Sequence, residues 1–129
     1  MEFPKDLKYT KEHEWVQVDG DTAIVGITDF AQGELGDLVY VEVETVGETL
    51  DQDEVFGTVE AVKTTSELFM PISGEVIEFN SEIDETEGDN PALINESPYN
   101  DGWIVKIKIS DPSELEDLMN ADEYEAEVS

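Results

Sequence analysis

The chain has 129 residues, 39% of them hydrophobic, and its 34 acidic residues against six lysines and no arginine give a formal net charge of −28. Such a charge would be repelled by nucleic acid and by anionic lipid, so neither is an expected partner. The absence of cysteine excludes disulfides, thiolate metal sites and cysteine nucleophiles, and a single histidine, His13, leaves no histidine cluster for a metal.

Apolar and polar residues alternate with a period of two along most of the chain, which predicts a mainly β-structure. The first two strands are expected over residues 14–18 and 22–27. The turn signal Asp19-Gly20 between them predicts that they form a hairpin. Three apolar side chains near the start of the chain are expected to pack at the edge of this sheet: Leu7, Tyr9 and Trp15.

A short helix is predicted next, beginning at Thr28-Asp29 and ending at Gly36. A strand over 37–44 follows. Because side chains in a strand alternate between its two faces, Val39, Val41 and Val43 should lie on one face.

Lys63 is the only cation between Lys11 and Lys106. Strands predicted over 54–61 and 66–70 place it at the tip of a hairpin, where its amine would stand clear of the fold. An enzyme that acylates a lysine needs such an exposed amine on a rigid support. We therefore interpret Lys63 as an attachment point for a carried group, although a lone surface lysine is in general more often only solvated.

Beyond the hairpin, a strand is predicted over 75–79, with Val76 and Phe79 on opposite faces. Residues 81–95 are predicted as a loop, and 103–109 as a strand. A second helix should start at the N-cap Asp111, with Pro112 in its first turn and an apolar stripe of Leu115, Leu118 and Met119. The acidic tail from Asp122 is expected to fray.

The motif around Lys63 resembles a known attachment hairpin. Glu60-Ala-Val-Lys63, with Met70-Pro-Ile-Ser-Gly-Glu-Val76 after it, is similar to the hairpin of biotinyl and lipoyl domains. Further motifs extend the resemblance to the glycine cleavage H-protein family, from about Leu7 to Tyr124: Tyr9-Thr-Lys-Glu-His13-Glu14-Trp15, Val25-Gly-Ile-Thr-Asp29, Leu93-Ile-Asn95, Ser97-Pro-Tyr99 and Asp101-Gly-Trp103. Biotin carriers usually flank the lysine with methionines, and the lipoyl domains of 2-oxo-acid dehydrogenases lack the His-Glu-Trp and Asp-Gly-Trp elements.

The resemblance implies an all-β fold with short peripheral helices, a barrel-sandwich hybrid (a flattened barrel or sandwich) with a C-terminal helix. It implies lipoate attached covalently to Lys63, and no catalytic or metal-binding residue. In this family the arm folds into a surface cleft, where Glu14 and Glu67 would contact it. Phe30 and Glu34 depart from the family pattern, which leaves the polarity of that cleft open.

The implied function is that of a carrier in the glycine cleavage system, not an enzyme. The lipoyl-lysine arm would take the aminomethyl group of glycine from glycine decarboxylase (P protein) to the aminomethyltransferase (T protein). Dihydrolipoamide dehydrogenase (L protein) would reoxidise the arm, and a lipoate ligase or lipoyl transferase would attach it. The alternatives are a lipoyl relay or biotinyl/lipoyl-type carrier for another multienzyme complex, a non-carrier binding module, and an enzyme, for which no nucleophile or phosphate-loop motif is present.

The length predicts one domain, 1–129, with a core over about 7–124 and an acidic C-terminal tail. We expect a monomer. The acid excess without arginine favours a halophilic source, since salt would screen the self-repulsion. No targeting signal or membrane-length apolar run is visible, so a cytoplasmic location is expected.

Overall fold

The structure, a computed structural model, describes residues 2–84 and 86–128, within which nine strands form two antiparallel sheets. The strands are β1 (Lys8–Tyr9), β2 (Glu14–Asp19), β3 (Thr22–Ile27), β4 (Leu38–Glu42), β5 (Thr49–Leu50), β6 (Val55–Ala61), β7 (Thr65–Phe69), β8 (Gly74–Phe79) and β9 (Val105–Ile109). The helices are α1 (Asp29–Leu35), α2 (Ala92–Glu96), a 3₁₀ helix (Pro112–Asp117) and α3 (Ala121–Val128). None of the described helices is long and apolar enough to cross a membrane.

The larger sheet has six strands in the order β1-β2-β3-β9-β8-β5, and the smaller has three in the order β4-β6-β7. Both contribute to one core, in which Val25 and Ile107 of the larger sheet and Val59 and Leu68 of the smaller are at most 2% exposed. The sheets do not close into a barrel. The predicted fold class, mostly β with a few short helices and a C-terminal helix, is confirmed in its sandwich form.

A second apolar cluster covers the outer edge of the larger sheet. It joins the N-terminal residues Leu7, Tyr9 and Trp15 to Ala121 and Tyr124 of α3. The rings of Tyr9 and Tyr124 stack with centroids 4.7 Å apart. The N-terminal residues therefore pack at the sheet edge as predicted.

The C-terminal region differs from its prediction. Asp111 caps a helix as expected, because its side chain accepts from Ser113 N, but this 3₁₀ helix ends at Asp117. Leu118 is extended, and the backbone of Met119 pairs with that of Tyr9 in an antiparallel β-bridge. The last two residues of the predicted apolar stripe are therefore not helical. The expectation of fraying from Asp122 is wrong, because α3 follows and its buried Tyr124 anchors it.

Two expectations about strand faces are wrong because of irregular pairing. Val39 is 49% exposed whereas Val41 is 3% exposed, and the register of β4 against β6 shifts between Leu38 and Tyr40. Val76 and Phe79 were expected on opposite faces, yet both pack against the main core, and β8 shifts register between Val76 and Glu78. A bulge adds one residue to a strand and so resets the alternation of its faces.

Helix α1 forms where the sequence predicts it. The side-chain oxygen of Thr28 accepts from Ala31 N at 3.2 Å, and the helix ends at Gly36, whose φ is +83°. A positive φ suits glycine because it has no Cβ. The predicted loop over 81–95 is correct only in part, since its last residues form α2, in which Ile94 is buried; Glu85 of that loop lies outside the described residues.

Candidate functional site

Lys63 lies at the tip of the hairpin that joins β6 to β7. The tip is braced, because Ala61 N donates to Thr64 O at 2.7 Å and Val62 N donates to Asp37 O at 3.1 Å. Val62 is 76% exposed, and Lys63 and Thr64 are exposed as well. The backbone at the tip is therefore held on both sides while the side chain of Lys63 extends from the fold.

The amine of Lys63 forms no ion pair with any residue that the structure describes. Over residues 2–84 and 86–128 the one salt bridge joins Lys5 to Asp122, far from the hairpin in sequence. The stem of Lys63 passes over Gly36: a Cβ at that position would lie 3.6 Å from Lys63 Cε and 4.0 Å from Nζ. The end of α1 and the tip of the hairpin therefore lie side by side.

A cleft of about 420 Å³ lies between α1 and β7, and we call it the α1–β7 cleft. Apolar side chains line most of it: Ile27, Phe30, Ala31, Leu35, Val59 and Leu68. Three carboxylates also line it, from Glu12, Glu34 and Glu67, together with His13 and Ser66. Its size and apolar lining are typical of small-molecule sites, and its carboxylates favour a cationic group.

Asn95 of α2 sets the position of the helix end beside Lys63. Its side-chain nitrogen donates to Gly36 O at 2.9 Å and to Gln32 Oε1 at 3.0 Å, and its oxygen accepts from Leu38 N at 3.0 Å. One amide thus joins the end of α1 to the start of β4.

Glu67 and Glu14, the two acids expected near the arm, occupy different environments. Glu67 is exposed on β7 and lines the α1–β7 cleft. Glu14 is 1% exposed and is not among the lining residues of this cleft. A contact between either acid and a carried group stays a prediction.

The carboxylate of Glu14 connects the two sheets. Its Oε2 accepts from Phe69 N of β7 at 2.7 Å, and its Oε1 lies 3.4 Å from Thr10 Oγ1. Burial is the main cause that raises the pKa of Glu14 to about 8, with the hydrogen bond from Phe69 N opposing it. Desolvation therefore outweighs that hydrogen bond, and Glu14 keeps its proton to an unusually high pH.

Several residues of the site were not predicted as such from the sequence. Glu12 is one of many acids, so composition gave no reason to select it, whereas Phe30 and Glu34, whose departure from the family pattern left the polarity of the cleft open, both line it. Tyr124 contacts His13 through a hydrogen bond of 2.9 Å across 111 residues of sequence, and no local pattern signals such a contact. A second cavity of about 380 Å³ has no lining residue on α1 or at the hairpin tip, so it is not part of this site.

Comparison with known proteins assigns the chain to a family. Residues 7–129 match the family model described as Glycine cleavage H-protein. The chain belongs to the glycine cleavage H-protein family. It is 54% identical over 129 residues to the glycine cleavage system H protein of Bacteroides thetaiotaomicron, with 100% of this chain and 99% of that one covered. It is 55% identical over 128 residues to that of Brevibacillus brevis, with 99% and 98% covered.

The fold agrees with this membership. The crystal structure of a glycine cleavage system H protein from Mycobacterium marinum matches with a TM-score of 0.85 and 38% sequence identity, covering 97% of this chain and 98% of that one. The family resemblance carried by the motifs around Lys63 is therefore confirmed over nearly the whole chain.

Proposed function

We propose that this H-protein family member is the lipoyl carrier of a glycine cleavage system and bears lipoate on Lys63. Membership of the family over residues 7–129 supports the system, and the hairpin supports the residue. The observation that carries the proposal is an exposed lysine, free of any ion pair with the described residues, on a braced tip next to a cleft.

The residues present fit a lipoyl group. Lys63 would hold it through an amide bond to Nζ, and the group would supply the sulfur chemistry that carries the aminomethyl group of glycine. Gly36 lies next to the lysine stem, since a Cβ there would be in ordinary van der Waals contact with Cε at 3.6 Å, so the stem runs along the end of α1. Leu35, the residue before Gly36, already lines the α1–β7 cleft, so the cleft begins next to the attachment point.

The walls of the cleft suit a carried amine on an apolar arm. Phe30 and Leu68 contribute apolar surface, and Glu34 and Glu67 place two carboxylates at the same cavity. An arm in this cleft would be partly withdrawn from water, which protects a reactive cargo from hydrolysis. The carboxylates would favour a protonated amine over a neutral one.

The carrier itself performs no catalysis in this proposal and works by presenting the arm to other proteins. Its partners are glycine decarboxylase, the aminomethyltransferase, dihydrolipoamide dehydrogenase and a lipoate ligase or lipoyl transferase, and we place them together in the cytoplasm. Tethering raises the effective concentration of the arm at each partner's site. A surface with a net charge of −28 favours basic faces on these partners, with docking that weakens as salt rises.

Intact-mass spectrometry of the chain from its own cells, grown with lipoate, tests the proposal. We expect the mass of one added lipoyl amide, located on the peptide that contains Lys63. Lys63→Arg should lack the addition and should abolish glycine cleavage in a mixture reconstituted with the partner enzymes. Lys108→Arg, which changes another exposed lysine, is the matched control and should keep both. A bare native chain, or an active Lys63→Arg variant, would overturn the proposal.

A further inference from the structure

The C-terminal helix holds His13 in the wall of the α1–β7 cleft. Tyr124 Oη lies 2.9 Å from His13 Nδ1 and 2.7 Å from Thr28 Oγ1. Tyr124 and Thr28 are fully buried, whereas His13 is partly exposed and lines the cleft. The imidazole also packs on the ring of Phe30, with centroids 4.9 Å apart. A helix at the far end of the chain therefore contacts a side chain of the proposed arm site.

The backbone of His13 is held in an unusual conformation. Its φ is +68°, which is uncommon for a residue other than glycine. Two hydrogen bonds hold this turn: Thr28 N donates to His13 O at 3.0 Å, and His13 N donates to Thr10 O at 3.1 Å. The surrounding structure thus determines where the imidazole points, and Tyr124 determines how the ring is hydrogen bonded.

The hydrogen bonds that join Thr28, Tyr124 and His13 favour one direction of donation. Thr28 Oγ1 accepts from Ala31 N at 3.2 Å, so its own proton is free to be donated to Tyr124 Oη. The Tyr124 proton is then donated to His13 Nδ1. In this arrangement both hydroxyl protons and all three contacts are used, and the proton of the neutral imidazole lies on Nε2.

The opposite direction leaves a buried proton without an acceptor. If His13 Nδ1 carried the proton and donated it to Tyr124, then Tyr124 would have to donate to Thr28. The Thr28 hydroxyl would then need another acceptor, but among the described residues its oxygen forms hydrogen bonds only with Tyr124 Oη and Ala31 N. Leaving the proton of a buried hydroxyl without an acceptor is unfavourable, so the first arrangement is preferred.

We propose that Tyr124 is a positioning residue that holds His13 as the Nε2–H tautomer in the wall of the α1–β7 cleft. Among residues 2–84 and 86–128, His13 Nε2 has no hydrogen-bond partner. Its N–H is therefore available to an acceptor atom of a group that enters the cleft. The part of the inference that concerns the lipoyl arm, with its amide oxygen as that acceptor, rests on the proposed function; the tautomer does not.

The tautomer is measurable directly, because His13 is the only histidine and every imidazole nitrogen signal belongs to it. The chain is labelled with ¹⁵N-histidine and examined by NMR at a pH of about 9, where a free imidazole is neutral. We expect the Nε2–H form to dominate in the wild type. Tyr124→Phe, which removes the donor to Nδ1, should lower the ratio of Nε2–H to Nδ1–H about fivefold, the factor expected for one net hydrogen bond.

Tyr9→Phe is the matched control. It removes a hydroxyl from the ring stacked on Tyr124, and that hydroxyl donates to Pro4 O at 2.6 Å instead of contacting His13. Its tautomer ratio should equal that of the wild type. A dominant Nδ1–H form in the wild type would overturn the proposal, and this result does not depend on whether a variant folds. An unchanged ratio in a folded Tyr124→Phe variant would overturn it as well.

The contact with the arm is tested on chain lipoylated in vitro by a lipoate ligase. We expect the Nε2 proton of His13 to exchange with solvent about fivefold more slowly in the lipoylated chain than in the bare chain, because the arm covers it. Tyr124→Phe should lose this protection, and Tyr9→Phe should keep it. Equal exchange in the lipoylated and bare wild type would overturn the role of His13 and leave the carrier proposal intact. Conversely, a bare Lys63 in native protein would overturn the carrier and leave the tautomer in place.

Discussion

Replacing Glu14 by glutamine should stabilise the protein relative to the wild type by an amount that grows with pH. Glu14 is 1% exposed, and its burial raises its pKa from the ordinary 4.5 to about 8. The folded state therefore binds the proton more tightly than the unfolded state does. This favours folding fully below the unfolded pKa, and the advantage is lost as the pH rises towards the folded pKa.

The magnitude follows from the width of that window. Well between the two pKa values, each pH unit lowers the free energy of unfolding by about 1.4 kcal/mol. The slope is smaller close to either pKa, so the total from pH 5 to pH 8 is roughly 3 to 4 kcal/mol. Glutamine is nearly isosteric and keeps an oxygen for Phe69 N, which donates to Glu14 Oε2 at 2.7 Å in the wild type. It does not ionise, so the Glu14→Gln variant should lack this part of the pH dependence.

Urea unfolding of both proteins at several pH values between about 5 and 8, in about 1 M NaCl to screen the other carboxylates, measures the effect. The quantity of interest is the difference in unfolding free energy between variant and wild type. Glu67→Gln is the matched control, because it removes the same formal charge from an exposed position. The Glu67→Gln difference at each pH is the reference for removing one exposed carboxyl. If the Glu14→Gln difference changes with pH no more than this reference does, then the reasoning from the burial of Glu14 is wrong.

Three further effects are expected in unfolding experiments. Gly33→Ala should raise the free energy of unfolding by up to about 1 kcal/mol, because a Cβ there meets no atom within 4 Å and alanine favours the helix; a loss would mean that α1 is not helical at this residue. Gly74→Ala should lower it by about 3 kcal/mol, since its Cβ would lie 2.4 Å from Lys108 O; a neutral result would place β8 and β9 further apart than observed. Raising NaCl from about 0.1 M to about 2 M should raise the melting temperature, because salt screens repulsion among the 34 acids, and a melting temperature that is unchanged or falls would contradict this.

Local signals explain which elements could be predicted. The β2–β3 hairpin is marked by alternation on both sides of Asp19-Gly20, and α1 is marked by Thr28 at its start and Gly36 at its end. The hairpin tip of Lys63 follows in the same way from the alternation on either side of it. In each case the sequence pattern that predicts the element lies within the element or directly next to it.

Strand faces were predicted less well because they depend on pairing between distant segments. The exposure of Val39 follows from a register shift against β6, about twenty residues further along the chain. A bulge requires no special residue type there, so the sequence around Val39 is compatible with a regular strand. The C-terminal region shows the same limitation, since Met119 pairs with Tyr9 at the opposite end of the chain.

The proposed site depends both on local sequence signals and on contacts between distant segments. Only the part that depends on local signals could be predicted from the sequence. Attachment needs only an exposed lysine on a tight hairpin, which is a local property, so Lys63 could be selected from the sequence. The α1–β7 cleft brings together segments near His13, α1 and β7, and the end of α1 beside Lys63 is joined to Leu38 by the amide of Asn95. Replacing residues at the hairpin tip would therefore alter attachment, whereas replacing Asn95 or Tyr124 would alter the cleft while leaving the lysine available to an acylating enzyme.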